Sequence, residues 1–305
     1  QQNERAPFPL EVVAFGDEEG VRFQAGLLGS RALTGTLPPD VLHLTDEAGI
    51  TLAQALHDFG LDPNQLHRAA RPASDILAYL EIHIEQGPVL ETHDLPVGVV
   101  TGISGASRYK IDIHGQSGHA GTVPMQLRHD ALTAAADVIL ALESLCRNRD
   151  DLVGTIGQIH AEPGAVNVIP GHATLTADLR APQDQTRRQA AREFEAAISR
   201  ITHQRGTPTI LRQTYEVAST QCDPSLSRQL AHAIRAQGIH PHSLPSGAGH
   251  DAMAMAHLTD VAMLFVRCAG GVSHHPAEAV DPSDVTTVSN VVLHFIRALQ
   301  RPARA

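Results

Sequence analysis

The sequence LEVVAFGDEEGVRF, at residues 10–23, joins an apolar run to three consecutive acidic residues. The β-branched and aromatic residues at 12–15 are typical of a buried strand. The acids at 17–19 follow directly, so the pattern places three carboxylates where a strand ends. Adjacent carboxylates repel one another unless a cation lies nearby or one of them keeps its proton. A metal ion beside a general base would use such a pair, and a solvated acidic turn at a helix N-terminus is the alternative.

The composition is that of a globular protein large enough for two domains. The chain has 305 residues, of which 42% are hydrophobic and 18% are charged. Acidic residues outnumber basic ones by 33 to 23, which argues against a nucleic acid or an anionic membrane as partner. Three cysteines without a CxxC pair argue against a disulfide scaffold or a thiolate zinc site. Neither a leader-like segment nor an 18-residue apolar run stands out, so we predict a cytoplasmic protein.

The hydrophobic patterns predict an α/β fold in two domains. From about residue 97 the expected element order is β-α-β-β-α-β, the split-βαβ pattern of ferredoxin-like sandwiches. We therefore predict an inserted domain at 97–213, which interrupts a domain made of residues 1–96 and 214–305. The apolar segment 76–84 is expected to form a central strand of that interrupted domain. The other strands and helices expected there lie at 12–15, 20–28, 51–59, 225–237, 250–256, 261–266 and 284–299.

Histidines lie where three further apolar or glycine-rich segments end. His83 stands in EIHIEQG, among apolar strand residues, where a histidine is more often a core residue than a ligand. His250 precedes Asp251 in SGAGHDA, a pattern that also fits a helix N-terminus whose amides the aspartate caps. His274 lies in GGVSHHPAE beside a second histidine, which favours a metal site more strongly. The sequence contains no GxSxG, HExxH or Walker A motif, so those chemistries are not predicted.

Three polar residues of the inserted segment are candidates for ligand binding. His119 is flanked by glycines that allow close approach, and Asn167 lies in a probable turn between strands. Arg180 ends an alternating strand, and its planar guanidinium suits a bidentate contact with a carboxylate. A turn histidine, a turn asparagine and a surface arginine paired with Asp178 are the respective alternatives.

Six motifs in a fixed order resemble one family. They are FGDEEGVRF, YLEIHIEQGP, SGHAGTVPM, VNVIPG with ADLR, SGAGHDA and GGVSHHPAE. The sequence resembles the amidase branch of the zinc aminoacylase/carboxypeptidase-like metallohydrolases, which contains N-carbamoyl-L-amino-acid hydrolases, allantoate amidohydrolases and β-ureidopropionases. The resemblance runs from about residue 8 to the closing helix. It implies a three-layer mixed-sheet metallohydrolase domain with an inserted ferredoxin-like α+β lid, which also carries the interface of a homodimer.

The resemblance also implies a role for each matching residue. Glu18 matches the general base that deprotonates a metal-bound water. The metal ligands are matched by Glu19, His83 and His274. The substrate shell is matched by Gln86, His119, Asn167, Arg180 and His250. In that shell the counterpart of Arg180 grips the substrate carboxylate, and the counterpart of His119 helps to polarise the scissile carbonyl when the lid closes.

The family's site holds two divalent metals, expected here to be Zn, Mn, Co or Ni. Its first histidine and its metal-bridging aspartate lie before the acidic turn, and residues 1–11 contain neither. The resemblance therefore implies an N-terminally incomplete site, in which one metal keeps Glu19 and His274 and the other keeps His83.

The predicted function is that of a metal-dependent amidohydrolase. Its substrate would be an N-carbamoyl-L-amino acid or an allantoate-like ureido acid, cleaved at the ureido C–N bond. One alternative is a catalytically impaired remnant that binds a carboxylate ligand and dimerises. The other is a dipeptidase or aminoacylase of the same superfamily.

Overall fold

The structure, a computed structural model, describes residues 5–6 and 8–299. Its strands are β1 (Tyr79–Ile84), β2 (Val97–Ile103), β3 (Gly105–His114), β4 (Gly118–His119), β5 (Val153–Glu162), β6 (Val168–Ile169), β7 (His172–Ala181), β8 (Thr209–Val217), β9 (Thr220–Gln221), β10 (Ser243–Ser246) and β11 (Val261–Val266). Its helices are α1 (Leu28–Leu33), α2 (Leu52–Asp58), α3 (Val89–Thr92), α4 (Ala131–Arg147), α5 (Asp184–Arg205), α6 (Pro224–Arg235), α7 (Ala252–Met255) and α8 (Pro282–Ala298). None of the helices within these described residues is long and apolar enough to cross a membrane.

The chain divides into two compact units. The first holds residues up to 103 together with those from 220 onward, and the second holds residues 104–219. The patterns predicted an insertion at 97–213, so the observed division falls later at both ends. Strand β2 belongs to the first unit because it pairs with β10 and β11, and β8 belongs to the second because it pairs with β3 as far as residue 217.

The first unit is built on a mixed sheet in the order β1-β11-β2-β10, with β9 paired to β2. Strand β1 runs parallel to β11, which is antiparallel to β2. All six residues of β11 are buried, as expected for a strand covered on both faces. One face packs on α6 and α8, and the other packs on α3 and α7. The three-layer mixed-sheet α/β class is therefore confirmed.

Strand β1 lies at the edge of this sheet, so the prediction of a central strand at 76–84 is wrong. Within the described residues β1 pairs with β11 alone. Residues of α8 cover part of the apolar side chains on one face of β1. An apolar cavity of about 590 Å³ lies between them and includes the exposed side chain of Ile82. The apolar run thus reflects partial cover of both faces of the strand by neighbouring elements and not a central position in the sheet.

The segment around the acidic turn also differs from the prediction. Residues 12–15 form no strand, and Val12 is fully exposed. An extended segment becomes a strand when a neighbour pairs with its backbone groups, and no described strand does so here. The helix expected at 20–28 begins instead at Leu28. Left-handed backbone at Gly20, Gln24 and Leu27 is incompatible with a continuous right-handed helix over residues 20–28.

The second unit is an antiparallel sheet in the order β5-β7-β3-β8, packed on α4 and α5. Its main elements follow the predicted order β-α-β-β-α-β. Alternate residues of β7 are buried, and they meet Val138 of α4 and Phe194 of α5 in one core. Asp130 caps α4 by accepting hydrogen bonds from the N–H groups of Leu132 and Thr133. Strand order and connections are those of a ferredoxin-like sandwich.

Candidate metal and catalytic site

Strand β1 presents Glu81 and His83 on one face, because side chains two residues apart on a strand point the same way. The Oε2 atom of Glu81 accepts hydrogen bonds from the Ala252 N–H at 2.7 Å and from the Tyr79 hydroxyl at 3.3 Å. The Nδ1 atom of His83 lies 2.7 Å from the carbonyl oxygen of Ile84. That contact requires the hydrogen on Nδ1, which leaves the lone pair on Nε2. These contacts hold both side chains in place. Each side chain keeps one further atom that can coordinate a metal ion, namely Oε1 of Glu81 and Nε2 of His83.

His250 reaches the same place from the segment before α7. Its side chain is 1% exposed, and its Nε2 atom lies 2.6 Å from the Ser246 hydroxyl. Its ring stands edge-on to that of His83, with 4.5 Å between the centroids. Its Nδ1 atom has no hydrogen-bond partner and lies 3.7 Å from Oε1 of Glu81. Burial, and next the charge of His83, lower the pKa of His250 to about 3, so its imidazole is neutral at pH 7.

The acidic turn is shaped by Asp17 and Gly20. The Asp17 carboxylate accepts a hydrogen bond from the Val21 N–H at 2.8 Å, so it closes the turn and is not free to act on a substrate. Gly20 has a φ of +69°, and a Cβ there would lie 2.6 Å from the backbone of Ala25. A glycine is therefore required directly after the two glutamates.

Glu18 lies among other acids of the first unit. Burial raises the pKa of Glu18 to about 7, and the negative charges of Asp251 and Glu19 act in the same direction. The charge of His274 opposes this shift. Glu18 thus shares an electrostatic environment with residues more than 200 positions away in the sequence. A carboxyl group with a pKa near 7 can both accept and return a proton at neutral pH.

Glu19 and His274 are in contact, as the motifs predicted for two ligands of one metal. The Oε1 atom of Glu19 lies 3.0 Å from Nε2 of His274. The backbone N–H of His274 donates to the Glu278 carboxylate at 2.8 Å, which holds the loop locally. The same loop packs Gly271 against Gly87, where a Cβ would lie 3.0 Å from the backbone. The EIHIEQG and GGVSHHPAE segments therefore meet at this site.

Gln86 lies in the turn after β1, which hydrogen bonds to the neighbouring Glu85 side chain stabilise. Both carboxylate oxygens of Glu85 accept backbone hydrogen bonds from the first turn of α3, at 2.7 Å and 2.9 Å. Gln86 itself has a φ of +56°, and His274 has the same value. Left-handed backbone at residues other than glycine costs about 1–3 kcal/mol and is concentrated at functional sites. The strain at these two positions accompanies their predicted roles in binding.

Three of the predicted substrate residues lie in the second unit. Strand β4 pairs with β6, and the Ala120 N–H donates to the Asn167 carbonyl at 2.9 Å, so His119 and Asn167 are neighbours. The Nδ1 atom of His119 accepts a hydrogen bond from the Gly121 N–H at 3.1 Å. The ring hydrogen is therefore on Nε2, which is a hydrogen-bond donor.

Arg180 forms the ion pair with Asp178 that was the alternative interpretation of its position in the sequence. Its guanidinium donates to both carboxylate oxygens, at 2.8 Å and 3.0 Å. Burial raises the pKa of Asp178, but hydrogen bonds from Arg180 and Arg108 outweigh that effect and lower it overall. Arg180 is thus oriented by a carboxylate within its own strand.

Sequence reasoning did not assign Glu81 and Asp251 to the site. Glu81 could have been found from its spacing of two residues to His83 on an alternating strand. The alternative in which Asp251 caps the following helix is wrong, because its side chain makes no cap hydrogen bond. Its Oδ1 atom is buried without a partner. Burial raises the pKa of Asp251, against a hydrogen bond from Ser30 and the charge of His83.

The side chains gathered here fit a divalent metal. Zn²⁺ binds imidazole nitrogen and carboxylate oxygen, and both are present in two subsets. One subset is the Glu19–His274 contact, and the other is formed by Glu81, His83 and His250, whose potential ligand atoms all lie within 4.8 Å of one another. The buried Nδ1 atom of His250 also has no hydrogen-bond partner, and a metal ion would supply one.

Carboxylates and imidazoles beside a mixed sheet are the ligand types that Zn²⁺ and similar divalent ions bind. The model of the peptidase family M20/M25/M40 matches residues 1–298, and the chain belongs to this family. The family resemblance inferred from the six motifs is thereby confirmed.

Characterised relatives give the comparison more detail. An allantoate deiminase of Arabidopsis thaliana is 42% identical over 320 residues, which cover 95% of this chain and 61% of that protein. An N-carbamoyl-L-amino acid amidohydrolase of Geobacillus stearothermophilus is 42% identical over 288 residues, which cover 94% and 70% respectively. The crystal structure of an amidase of the hydantoinase/carbamoylase family from Burkholderia multivorans superimposes with a TM-score of 0.86 at 31% identity, over 93% of this chain and 69% of that one. The chain thus spans 61–70% of the length of these relatives.

Proposed function

We propose that this protein is a metal-dependent amidohydrolase that cleaves the ureido C–N bond of an N-carbamoyl-L-amino acid or an allantoate-like substrate. The observation that carries the proposal is the 3.0 Å contact between Glu19 and His274, with the carboxyl group of Glu18 at the next position of the chain. The names of the relatives support the substrate class, since they are an allantoate deiminase and an N-carbamoyl-L-amino acid amidohydrolase.

The metal ligands in this proposal are Glu19 and His274 for one ion and His83 for the other. The candidate ions are Zn²⁺, Mn²⁺, Co²⁺ and Ni²⁺, which imidazole and carboxylate ligands accept. When bound, such an ion supplies Lewis acidity for a carbonyl group and lowers the pKa of water.

Glu18 carries the proton transfers. Its carboxylate accepts a proton from the attacking water, and the carboxylic acid returns that proton to the leaving nitrogen. Because the pKa of Glu18 lies near 7, neither transfer is strongly uphill at neutral pH. The neighbouring carboxylates of Asp251 and Glu19 favour the protonated form, and a positive charge at the site would restore the base.

The substrate contacts are assigned to residues of both units. The Nε2–H group of His119 is a donor suited to the carbonyl oxygen as negative charge develops there. Arg180 would bind the substrate carboxylate while Asp178 holds its orientation, and Gln86 and Asn167 offer amide groups for the ureido end. His250, the remaining residue of the predicted substrate shell, is 1% exposed.

In the same proposal, the second unit is a lid and carries the interface of a homodimer. We expect the protein to act in the cytoplasm. The ferredoxin-like sandwich offers an exposed sheet face, on which Val153 and Tyr215 are exposed.

The experiment is an assay of ammonia release from N-carbamoyl-L-amino acids and allantoate, with each of the four metals. We expect turnover with at least one metal, and a loss of about 10²- to 10⁴-fold in kcat in Glu18→Gln. Glu143→Gln, the same change on an exposed face of α4, is the control and should leave the rate unchanged. Metal-loaded protein that releases no ammonia from any of these substrates would refute the proposal. Faster cleavage of dipeptides or N-acyl amino acids would assign it to the peptidase or aminoacylase type instead.

A further inference from the structure

The second ligand subset points to a metal site with its own composition. We infer that Glu81 Oε1, the free nitrogen of His83 and His250 Nδ1 form a buried site for one divalent cation of the Zn²⁺ type. This ligand set excludes Glu19 and His274, and it gives His250 the part of a ligand instead of a substrate contact. The inference does not rest on the amidohydrolase activity, because metal binding alone tests it.

The hydrogen-bond network around Ser246 accommodates the tautomer of His250 in which Nδ1 is free to bind a metal. The Ser246 hydroxyl oxygen lies 3.2 Å from the Ala248 carbonyl, 3.1 Å from the Ala248 N–H and 2.6 Å from Nε2 of His250. In the tautomer that a metal site requires, the hydroxyl hydrogen goes to the Ala248 carbonyl, which can only accept. The hydroxyl oxygen then accepts from the Ala248 N–H and from Nε2–H. The network is compatible with this tautomer, which has the ring hydrogen on Nε2 and a lone pair on Nδ1.

In this tautomer, two acceptors face each other inside the protein. The Oε2 atom of Glu81 is occupied by the Ala252 N–H and the Tyr79 hydroxyl, which leaves Oε1. Oε1 lies 3.7 Å from the lone pair of His250 Nδ1, and the two side chains are 10% and 1% exposed. Facing acceptors away from water repel each other and lose hydration, so the arrangement is unfavourable unless a cation or a proton lies between them.

The position of His83 favours a metal cation over a shared proton between Glu81 and His250. Its Nδ1–H donates to the Ile84 carbonyl, so its Nε2 lone pair is also free, and its ring stands against that of His250. A single proton joins two acceptors, whereas one ligand atom from each of the three residues lies within 4.8 Å of the others, and the residues match the two-histidine, one-carboxylate set of zinc enzymes. Bonds of 2.0–2.2 Å in a tetrahedral site place ligand atoms about 3.4 Å apart, so a contraction of at most about 1.4 Å suffices.

The groups behind the ligands support the same assignment. Metal-bound histidines usually donate their second ring N–H to a carbonyl, a hydroxyl or a carboxylate, which fixes the ring and the tautomer. His83 does so through the Ile84 carbonyl, and His250 does so through the Ser246 hydroxyl. The α7 amide on Oε2 similarly holds Glu81. Each of the three ligands therefore has a partner that aims its remaining donor atom into the same space.

The test measures Zn²⁺ binding to the metal-stripped full chain in a Glu19→Gln/His274→Gln background, which removes the other subset. We expect one tightly bound Zn²⁺ per chain by metal analysis after gel filtration, and binding weakened at least 10-fold when Glu81→Gln is added. Glu91→Gln, which changes a carboxylate on the α3 side of the same unit, is the matched control and should leave the affinity unchanged.

X-ray absorption spectroscopy at the zinc edge identifies the types of ligand atom around the bound Zn²⁺, and it needs no substitution of Glu81. Two imidazoles and an oxygen ligand in the same background would support the site. A background protein with native far-UV circular dichroism that retains no Zn²⁺ would overturn it, and would indicate a proton shared between Glu81 and His250. Bound Zn²⁺ with fewer than two imidazoles, or an affinity that Glu81→Gln leaves unchanged in the folded protein, would also overturn it. Loss of ammonia release alone bears on the proposed function and not on this site.

Discussion

Replacing Arg187 by methionine tests how the second unit is held together. Arg187 has a 1% exposed side chain in α5, and its guanidinium donates to Asp184 at 3.1 Å and to Glu216 at 3.0 Å. It also donates to the Ser107 hydroxyl of β3. The guanidinium therefore joins one helix to strands β3 and β8, and methionine keeps much of its volume without its charge.

The expected cost follows from what each partner loses. The buried Ser107 hydroxyl loses its charged donor, which costs about 1–3 kcal/mol. The carboxylates of Asp184 and Glu216 are 25% and 43% exposed, so water replaces part of what they lose. The full penalty of about 3–5 kcal/mol for breaking a buried ion pair is therefore not reached. We expect the free energy of unfolding to fall by about 2–4 kcal/mol in Arg187→Met.

Urea denaturation followed by circular dichroism measures this change. With a slope of about 2 kcal/mol per molar urea, the midpoint should fall by about 1–2 M. Arg188→Met is the matched control, because Arg188 approaches the same two carboxylates at 3.8 Å and 3.6 Å but is 59% exposed. Its midpoint should move by less than about 0.5 M, as for surface ion pairs. Equal shifts in the two variants would refute the argument that burial sets the cost.

Two further predictions concern the acidic turn and the response to acid. Gly20→Ala should lower ammonia release at least 10-fold, because a Cβ at φ +69° meets the Ala25 backbone at 2.6 Å and displaces Glu18. Gly16→Ala, which meets nothing within 4 Å, should keep the wild-type rate, and equal rates in both variants would contradict the role of the turn. The pKa of Asp178 is lowered in the folded state, so its contribution to stability is present above its unfolded pKa and is lost as the pH falls through its folded pKa. Urea midpoints of wild type between pH 5 and pH 2 should therefore fall more steeply than those of Asp178→Asn, and parallel curves would count against the pair with Arg180.

The second unit could be predicted from sequence because its patterns are local. Alternating residues in β3 and β7 and long amphipathic stretches in α4 and α5 carry the period of each element. The acidic turn could not be predicted in the same way. Residues 12–15 have the composition of a strand, but strand formation depends on a pairing partner that composition does not reveal.

Some residues of the candidate site could be predicted from sequence motifs, and others depend on packing that the sequence does not reveal. The contact between Glu19 and His274 was expected from motifs that lie 255 positions apart, and the structure brings their side chains to 3.0 Å. The position of His250 was not expected, because its burial depends on how α7 packs against β1. Glu81 was overlooked for a similar reason. A single glutamate on a strand can be assigned to a metal site only when the residues that face it are known.

The central claim is that carboxylates and imidazoles of the first unit surround divalent cations. A zinc-edge anomalous difference map from a crystal of this chain grown with Zn²⁺ tests it most directly. We expect one peak within about 2.0–2.2 Å of ligand atoms of Glu81, His83 and His250, and another between Glu19 and His274. Anomalous peaks confined to histidines outside these two groups would contradict the claim.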